Sequence, residues 1–259
     1  MINNEILISL LPLIIVNSSV IAALIIFAFL YPKRPNDPEV LGRMHKSFIG
    51  VFIREFWYWV VNPFISIFKA LGLTPNMLTG ISLVFALISG YFYYRGDFAL
   101  AGWVLIICGT MDLLDGRLAR VTQQVSREGA FYDSCIDRYS DGIVLIGIAL
   151  YFRDDFCMLT VSLFALLGSE LVSYAKARGE AIGVTTERGI MQRPERVASL
   201  SIVSVIYPFL KIVLSNYGIR AEYPMMIIIF LMAVLTNYTA IVRIVEIFKK
   251  IKNLENHDG

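Results

Sequence analysis

The sequence predicts an all-α integral membrane protein: a core of six transmembrane helices, an interfacial amphipathic helix ahead of it, and one extra transmembrane helix at the N-terminus. Three observations carry that prediction. The 259 residues are 57% hydrophobic and only 17% charged, with a mean hydropathy of +0.66, a balance found in membrane proteins rather than soluble enzymes. Seven segments come near the ~20 apolar residues that a helix needs to cross a bilayer. Lysine and arginine are spread so unevenly between those segments that they fix an orientation.

The first segment, Ile6 to Tyr31, lacks the basic leader of a cleavable signal peptide and is longer than its usual apolar stretch, so a retained anchor helix is expected. Prolines at Pro32, Pro35 and Pro38 mark a hinge. From His45 to Gly72, Phe48, Phe52, Phe56, Trp57, Trp59, Phe64 and Phe68 alternate with Lys46, Arg54 and Lys69, the pattern of a helix lying in the interface and interrupted near Pro63. The remaining spans read as Met77 to Tyr94, Phe98 to Met111, Tyr132 to Phe152, Phe156 to Ala175, Val197 to Ser215 and Tyr223 to Ile244. Phe98 to Met111 is short, but its helix can continue past Asp112. The expected division is therefore 1–42, an anchor helix and linker, and 43–259, an interfacial helix with the membrane domain.

If the polar segment after Met111 faces the cytoplasm, all but four of the 23 basic residues, namely Arg95, Arg153, Lys211 and Arg220, fall on that side. Cytoplasmic loops carry such an excess, so the polar segment is expected inside and the N-terminus outside. Cys108, Cys135 and Cys157 are odd in number, form no C-x-x-C pair and lie in or beside apolar segments, which indicates packing rather than disulfides or zinc. His45 and His257 stand in polar flanks, too few for a zinc site. Nothing in the composition supports nucleic-acid binding.

Between Asp112 and Asp137 the sequence reads D-x2-D-G-x2-A-R-x8-G-x3-D-x3-D. Carboxylates beside a bilayer are costly and are functional by default. Asp112 and Asp115 are three apart, Asp133 and Asp137 four apart, so each pair shares a helical face. Two such pairs facing one another repel unless a cation lies between them, and an all-oxygen set suits magnesium or manganese. Magnesium sheds its waters reluctantly and is commonly shared with substrate phosphates, so a phosphate is the expected guest. Gly116 and Ala119 leave room for a ring or backbone, Arg120 offers a fork matched to phosphate oxygens, and Gly129 breaks the polar stretch before the second pair. The competing reading pairs these acids with Arg117, Arg120, Arg127 and Arg138 as interfacial glue; it explains one aspartate better than eight fixed positions.

Those eight positions resemble, without a gap, the signature of the CDP-alcohol phosphotransferase family, integral membrane enzymes of phospholipid synthesis, and Thr74-Pro75-Asn76-Met77-Leu78-Thr79 resembles the opening of the family's first core helix. The resemblance covers the chain from about Leu71 onward and implies a six-transmembrane-helix CDP-alcohol phosphotransferase core with a cytoplasm-facing polar cavity. It implies two Mg2+ or Mn2+ ions held by Asp112, Asp115, Asp133 and Asp137, with Asp137 also the general base. It further implies contacts from Gly116, Ala119 and Arg120 to the CDP portion of a CDP-lipid, CDP-diacylglycerol or CDP-archaeol. The metals would neutralise the pyrophosphate while a base activates the acceptor hydroxyl, giving CMP and a phosphodiester. Dimers are common in the family; the extra N-terminal span departs from its layout.

The acceptor is read from a second basic cluster. Ser173, Lys176 and Arg178 close one span, and Arg188, Arg193 and Arg196 precede the next; positive-inside bias accounts for some of them, but clustered arginine and lysine also hold phosphate. Ser173-Tyr174-Ala175-Lys176-Ala177-Arg178-Gly179-Glu180 and Arg193-Pro194-Glu195-Arg196 resemble segments of the phosphatidylinositol phosphate synthases within the family. That implies inositol phosphate as acceptor, contacted by Ser173, Lys176 and Arg196, with Arg193 and Arg243 as further candidates. Glycerol 3-phosphate is the alternative acceptor and serine a weaker one. Outside the enzyme class, a cation transporter would use the same carboxylates but leaves Gly116, Ala119 and Arg120 without a role.

Overall fold

Among the described residues of the computed structural model, 4–33, 51–186 and 188–255, every regular element is helical. The helices are α1 (Asn4–Leu30), α2 (Val51–Ala70), α3 (Pro75–Arg95), α4 (Phe98–Val121), α5 (Arg127–Tyr151), α6 (Phe156–Ala181), α7 (Arg193–Asn216) and α8 (Tyr223–Glu255), with a 3-10 turn at Tyr31–Lys33 after α1. Two compact units result, Met1–Phe64 and Ile65–Gly259. The hinge prolines Pro35 and Pro38, and the stretch from His45 to Gly50, lie outside the described residues.

In the first unit an aromatic cluster forms around buried Phe27, whose ring centre lies 5.4 to 5.6 Å from those of Tyr31, Phe52, Phe56 and Trp59. Offset and edge-on rings at this spacing add to the area they bury. The break expected near Pro63 is absent, because α2 runs through it unbroken. Pro63 is on the exposed side, so the hydrogen bond it removes is lost away from the packed face.

Six helices among the described residues are long and apolar enough to cross a membrane: α1 with its 3-10 turn, α3, α4, α6, α7 and α8. The chain is a multi-pass integral membrane protein. Helix α5 has the length, 25 residues, but carries the acids, and it packs against α3 and α6 inside the bundle. Lipid gives helices no hydrophobic reason to associate, so small residues and hydrogen bonds do that work. Gly147 of α5 lies so close to the backbone of Gly90 in α3 that a side-chain carbon there would overlap the Gly90 carbonyl. Tyr93 and Ser204 share a hydrogen bond of 2.8 Å between α3 and α7, and Asn237 of α8 donates to the Phe164 carbonyl of α6 at 2.9 Å.

Local signals set the helix ends. Thr74 caps α3 by accepting from Met77 N, with Pro75 at the first turn, and Gly96 closes that helix in the left-handed region at φ 79°, the usual division of labour between the two ends. Helix α4 ends on the same hydrogen-bond pattern, with Gln123 at φ 58° instead of glycine. There Gln124 N donates to Ala119 O at 2.8 Å and Gln123 N to Arg120 O at 3.3 Å. Ser126 then caps α5, accepting from Gly129 N at 3.0 Å. The turn between the acidic pairs is thus made at Gln123, and Gly129 belongs to the first turn of α5, where Ser126 Oγ and Asn76 Oδ1 leave little space for a side chain.

Candidate phosphate-transfer site

Helix α4 continues to Val121 and α5 begins at Arg127. At roughly 1.5 Å of rise per residue, Asp112 lies about 13 Å inside the first and Asp137 about 15 Å inside the second. The acids are therefore fixed on rigid helices rather than on the loop between them. Asp112, Asp133 and Asp137 come together, each offering an oxygen within 4.8 Å of the others. Asp115 is not in that group: buried, it accepts a 2.6 Å hydrogen bond from Thr79 of α3. This gives Thr79 of the opening motif a task, fixing the rotation of α4 against α3.

Arg193, the first residue of α7, reaches into the acidic cluster. Its Nη1 lies 2.7 Å from Asp112 Oδ2 and 2.9 Å from Asp137 Oδ1, and its Nε 3.3 Å from Asp141 Oδ1. Asp141 also pairs with Arg196, whose buried guanidinium donates to the Met191 carbonyl at 3.4 Å. Asp141 is absent from the residues expected at the site from sequence. Its signal was present, since Asp133, Asp137 and Asp141 repeat every four residues along one face of α5. Ser140, Asp141, Arg193 and Arg196 also border a cavity whose other walls are mainly apolar, among them Leu105, Cys108, Val144 and Met232.

The remaining residues expected at the site divide into two groups. Exposed Arg120 folds its guanidinium over Gly116, one turn earlier, with Ala119 half-buried beside it. Ser173 is half-buried, and exposed Lys176 pairs with Glu180 at 3.8 Å on the same helix. Arg243 differs from these, being 3% exposed. Its Nη1 donates to the Val172 carbonyl and its Nε to the Arg188 carbonyl, both at 2.8 Å. It stands within a stripe on α8 that clasps the segment before α7. Thr239 accepts from Ile190 N and Met191 N, Glu246 accepts from Thr186 at 2.9 Å, and Lys250 donates to the Thr185 carbonyl at 2.8 Å.

The donor set fits a hard divalent cation. All three clustered acids offer oxygen only, and Asp133 Oδ1 is buried with no hydrogen-bond partner, an orphan that a cation would satisfy. No thiol or imidazole belongs to the clustered group, so magnesium or manganese suits it better than zinc.

A helical membrane core that gathers three aspartates from two helices, with an arginine entering from a third, defines a metal-dependent transferase working on phosphate esters beside the bilayer. The chain belongs to the CDP-alcohol phosphatidyltransferase family, whose model matches residues 72–249. Among curated relatives, an archaetidylinositol phosphate synthase of Pyrococcus horikoshii is 43% identical over 139 residues, covering 52% of this chain and 71% of that one. A phosphatidylinositol phosphate synthase of Streptomyces avermitilis is 35% identical over 158 residues, 59% of this chain and 64% of that one. A crystal structure of the Mycobacterium tuberculosis phosphatidylinositol phosphate synthase with CDP-DAG bound superposes with a TM-score of 0.64 at 25% identity, over 73% of this chain and 94% of that one. The same enzyme in complex with manganese and citrate gives 0.64 at 25% identity, over 72% and 88%.

Proposed function

We propose that this protein transfers a phosphatidyl-type group from a CDP-lipid to a hydroxyl of inositol phosphate, releasing CMP. The observation that carries the acceptor is the placement of two guanidinium forks, Arg193 and Arg196, on the single carboxylate of Asp141, next to the clustered acids. A neutral acceptor has no use for such forks, whereas phosphate is what they bind. The names of the relatives, inositol phosphate synthases of both diacyl and archaeal lipids, support the same reading.

Asp137 serves as general base, taking the proton of the acceptor hydroxyl as its oxygen attacks the lipid-bearing phosphorus and the bond to the CMP oxygen breaks. Gly116 and Ala119 admit the cytidine end without a clash, and Arg120 lies against its pyrophosphate. Ser173 and Lys176, three apart on α6, flank the acceptor. Divalent ions, two in this reading and held by Asp112, Asp115, Asp133 and Asp137, would neutralise the pyrophosphate and the departing CMP. The positive-inside distribution supports an active site facing the cytoplasm and an N-terminus outside.

The test is product identity. Purified protein with CDP-diacylglycerol or CDP-archaeol and Mn2+ is given inositol phosphate, inositol, glycerol 3-phosphate or serine, and the lipid product is identified by mass spectrometry. Phosphatidylinositol phosphate or its archaeal counterpart is expected. Phosphatidylglycerophosphate as the main product would move the assignment to glycerol 3-phosphate.

A further inference from the structure

Arg193 is bonded to two of the three carboxylates that would hold a metal. Its Nη1 bridges Asp112 Oδ2 and Asp137 Oδ1, at 2.7 and 2.9 Å, and both aspartates belong to the three-acid group. Its Nε instead contacts Asp141, which lies outside that group. The guanidinium therefore has one end on the candidate metal ligands and the other on a separate anchor. That anchor is firm, because Asp141 is also held by buried Arg196.

We propose that Arg193 is an internal counterion that passes from the carboxylates to the acceptor's phosphate. Arg193 releases Asp112 and Asp137 as those carboxylates take up a divalent ion, keeps its Nε on Asp141, and turns the freed Nη1 toward the phosphate of the acceptor. The second half rests on the reading that the acceptor is phosphorylated.

Two physical points favour the exchange. A hard divalent ion and a guanidinium N–H compete for the same carboxylates, and the ion carries twice the charge. Arg193 also begins α7, with Pro194 after it, so its backbone stays in place while only the side chain moves. The device couples the two sites, and coupling of this kind is reciprocal: the metal strengthens phosphate binding and phosphate strengthens metal binding by the same factor. Lys176 and Arg178 do not provide it, since Lys176 pairs with Glu180 instead and both side chains are exposed.

The experiment measures Mn2+ binding by electron paramagnetic resonance on the purified full chain without CDP-lipid, for wild type, Arg193→Gln and Arg193→Lys, each checked for monodisperse elution. Arg193→Gln removes the competing charge and is expected to bind Mn2+ about 5- to 150-fold more tightly, the usual range of such coupling. Arg193→Lys, a point charge without the fork, is expected between the two. Inositol phosphate should tighten Mn2+ binding in wild type and leave Arg193→Gln unchanged. Unchanged or weaker Mn2+ binding in Arg193→Gln overturns the proposal, whatever the acceptor proves to be. Equal tightening by inositol phosphate in both proteins overturns the transfer to phosphate. The acceptor reading fails by a different result, CMP release that does not require a phosphorylated acceptor.

Discussion

Asp137 and Asp141 are one helical turn apart on α5 and perform different work. Asp137 is set beside Asp112 and Asp133, and Asp137→Asn is expected to abolish CMP release while the purified protein keeps its elution profile and unfolding temperature. Normal turnover in that variant would remove it as general base. Asp141 holds two arginines, so Asp141→Ala leaves buried positive charge without its partner and should cost about 3 kcal/mol of stability, read as a lower unfolding temperature in detergent. The pairing of Asp133 with Asp137 was legible in the sequence because a spacing of four places both on one helical face, whereas the spacing of three does not bring Asp115 into the group that Asp112 joins. The partners of the second basic cluster were not legible. The groups that Arg196 and Arg243 bond within the fold, Asp141 and the carbonyls of Met191, Val172 and Arg188, cannot be read from their spacing, because they depend on how α5, α6, α7 and α8 pack.

At the scale of elements, the site depends on two devices that end or hold helices. The turn between α4 and α5 places Gln123 at φ 58°, a conformation that costs a side-chain-bearing residue about 1 kcal/mol or more and glycine nothing. Gln123→Gly should raise stability by up to about 1 kcal/mol and leave CMP release unchanged, measured by thermal unfolding and turnover on the same preparation. The clasp from α8 is the second device. Arg243→Ala frees the carbonyls of Val172 and Arg188, with a cost of about 1.5–3 kcal/mol for hydrogen bonds from a charged donor, and should raise the acceptor KM more than the CDP-lipid KM. Equal effects on both substrates would count against a role confined to the acceptor side. Helix positions were readable from hydropathy, and so was the continuation of α4 past Asp112. Residue type alone points to a turn at Gly129, because glycine is the usual left-handed residue, whereas Gln123 takes that conformation and Ser126 and Asn76 crowd Gly129.

For the whole molecule, hydropathy alone gives the membrane class, and six helices meet its length and composition among the described residues. Helix α5 is the informative exception: it sacrifices apolar character to carry Asp133, Asp137 and Asp141, and it does so packed between α3 and α6. The orientation rests on the basic residues and is open to direct measurement. In a background lacking Cys108, Cys135 and Cys157, Arg220→Cys should react with an impermeant maleimide in intact cells and Arg127→Cys only after permeabilisation; the reverse pattern would invert the topology. Membrane class, reaction site and acceptor meet in one assay, the initial rate of CMP release by purified protein with saturating CDP-lipid and Mn2+ as inositol phosphate is titrated, beside the same titration with inositol. The account predicts a rate that rises and saturates with inositol phosphate, stays near zero with inositol, and vanishes on chelation of the metal. Equal rates with the two acceptors, or full release of CMP with the metal chelated, would contradict it.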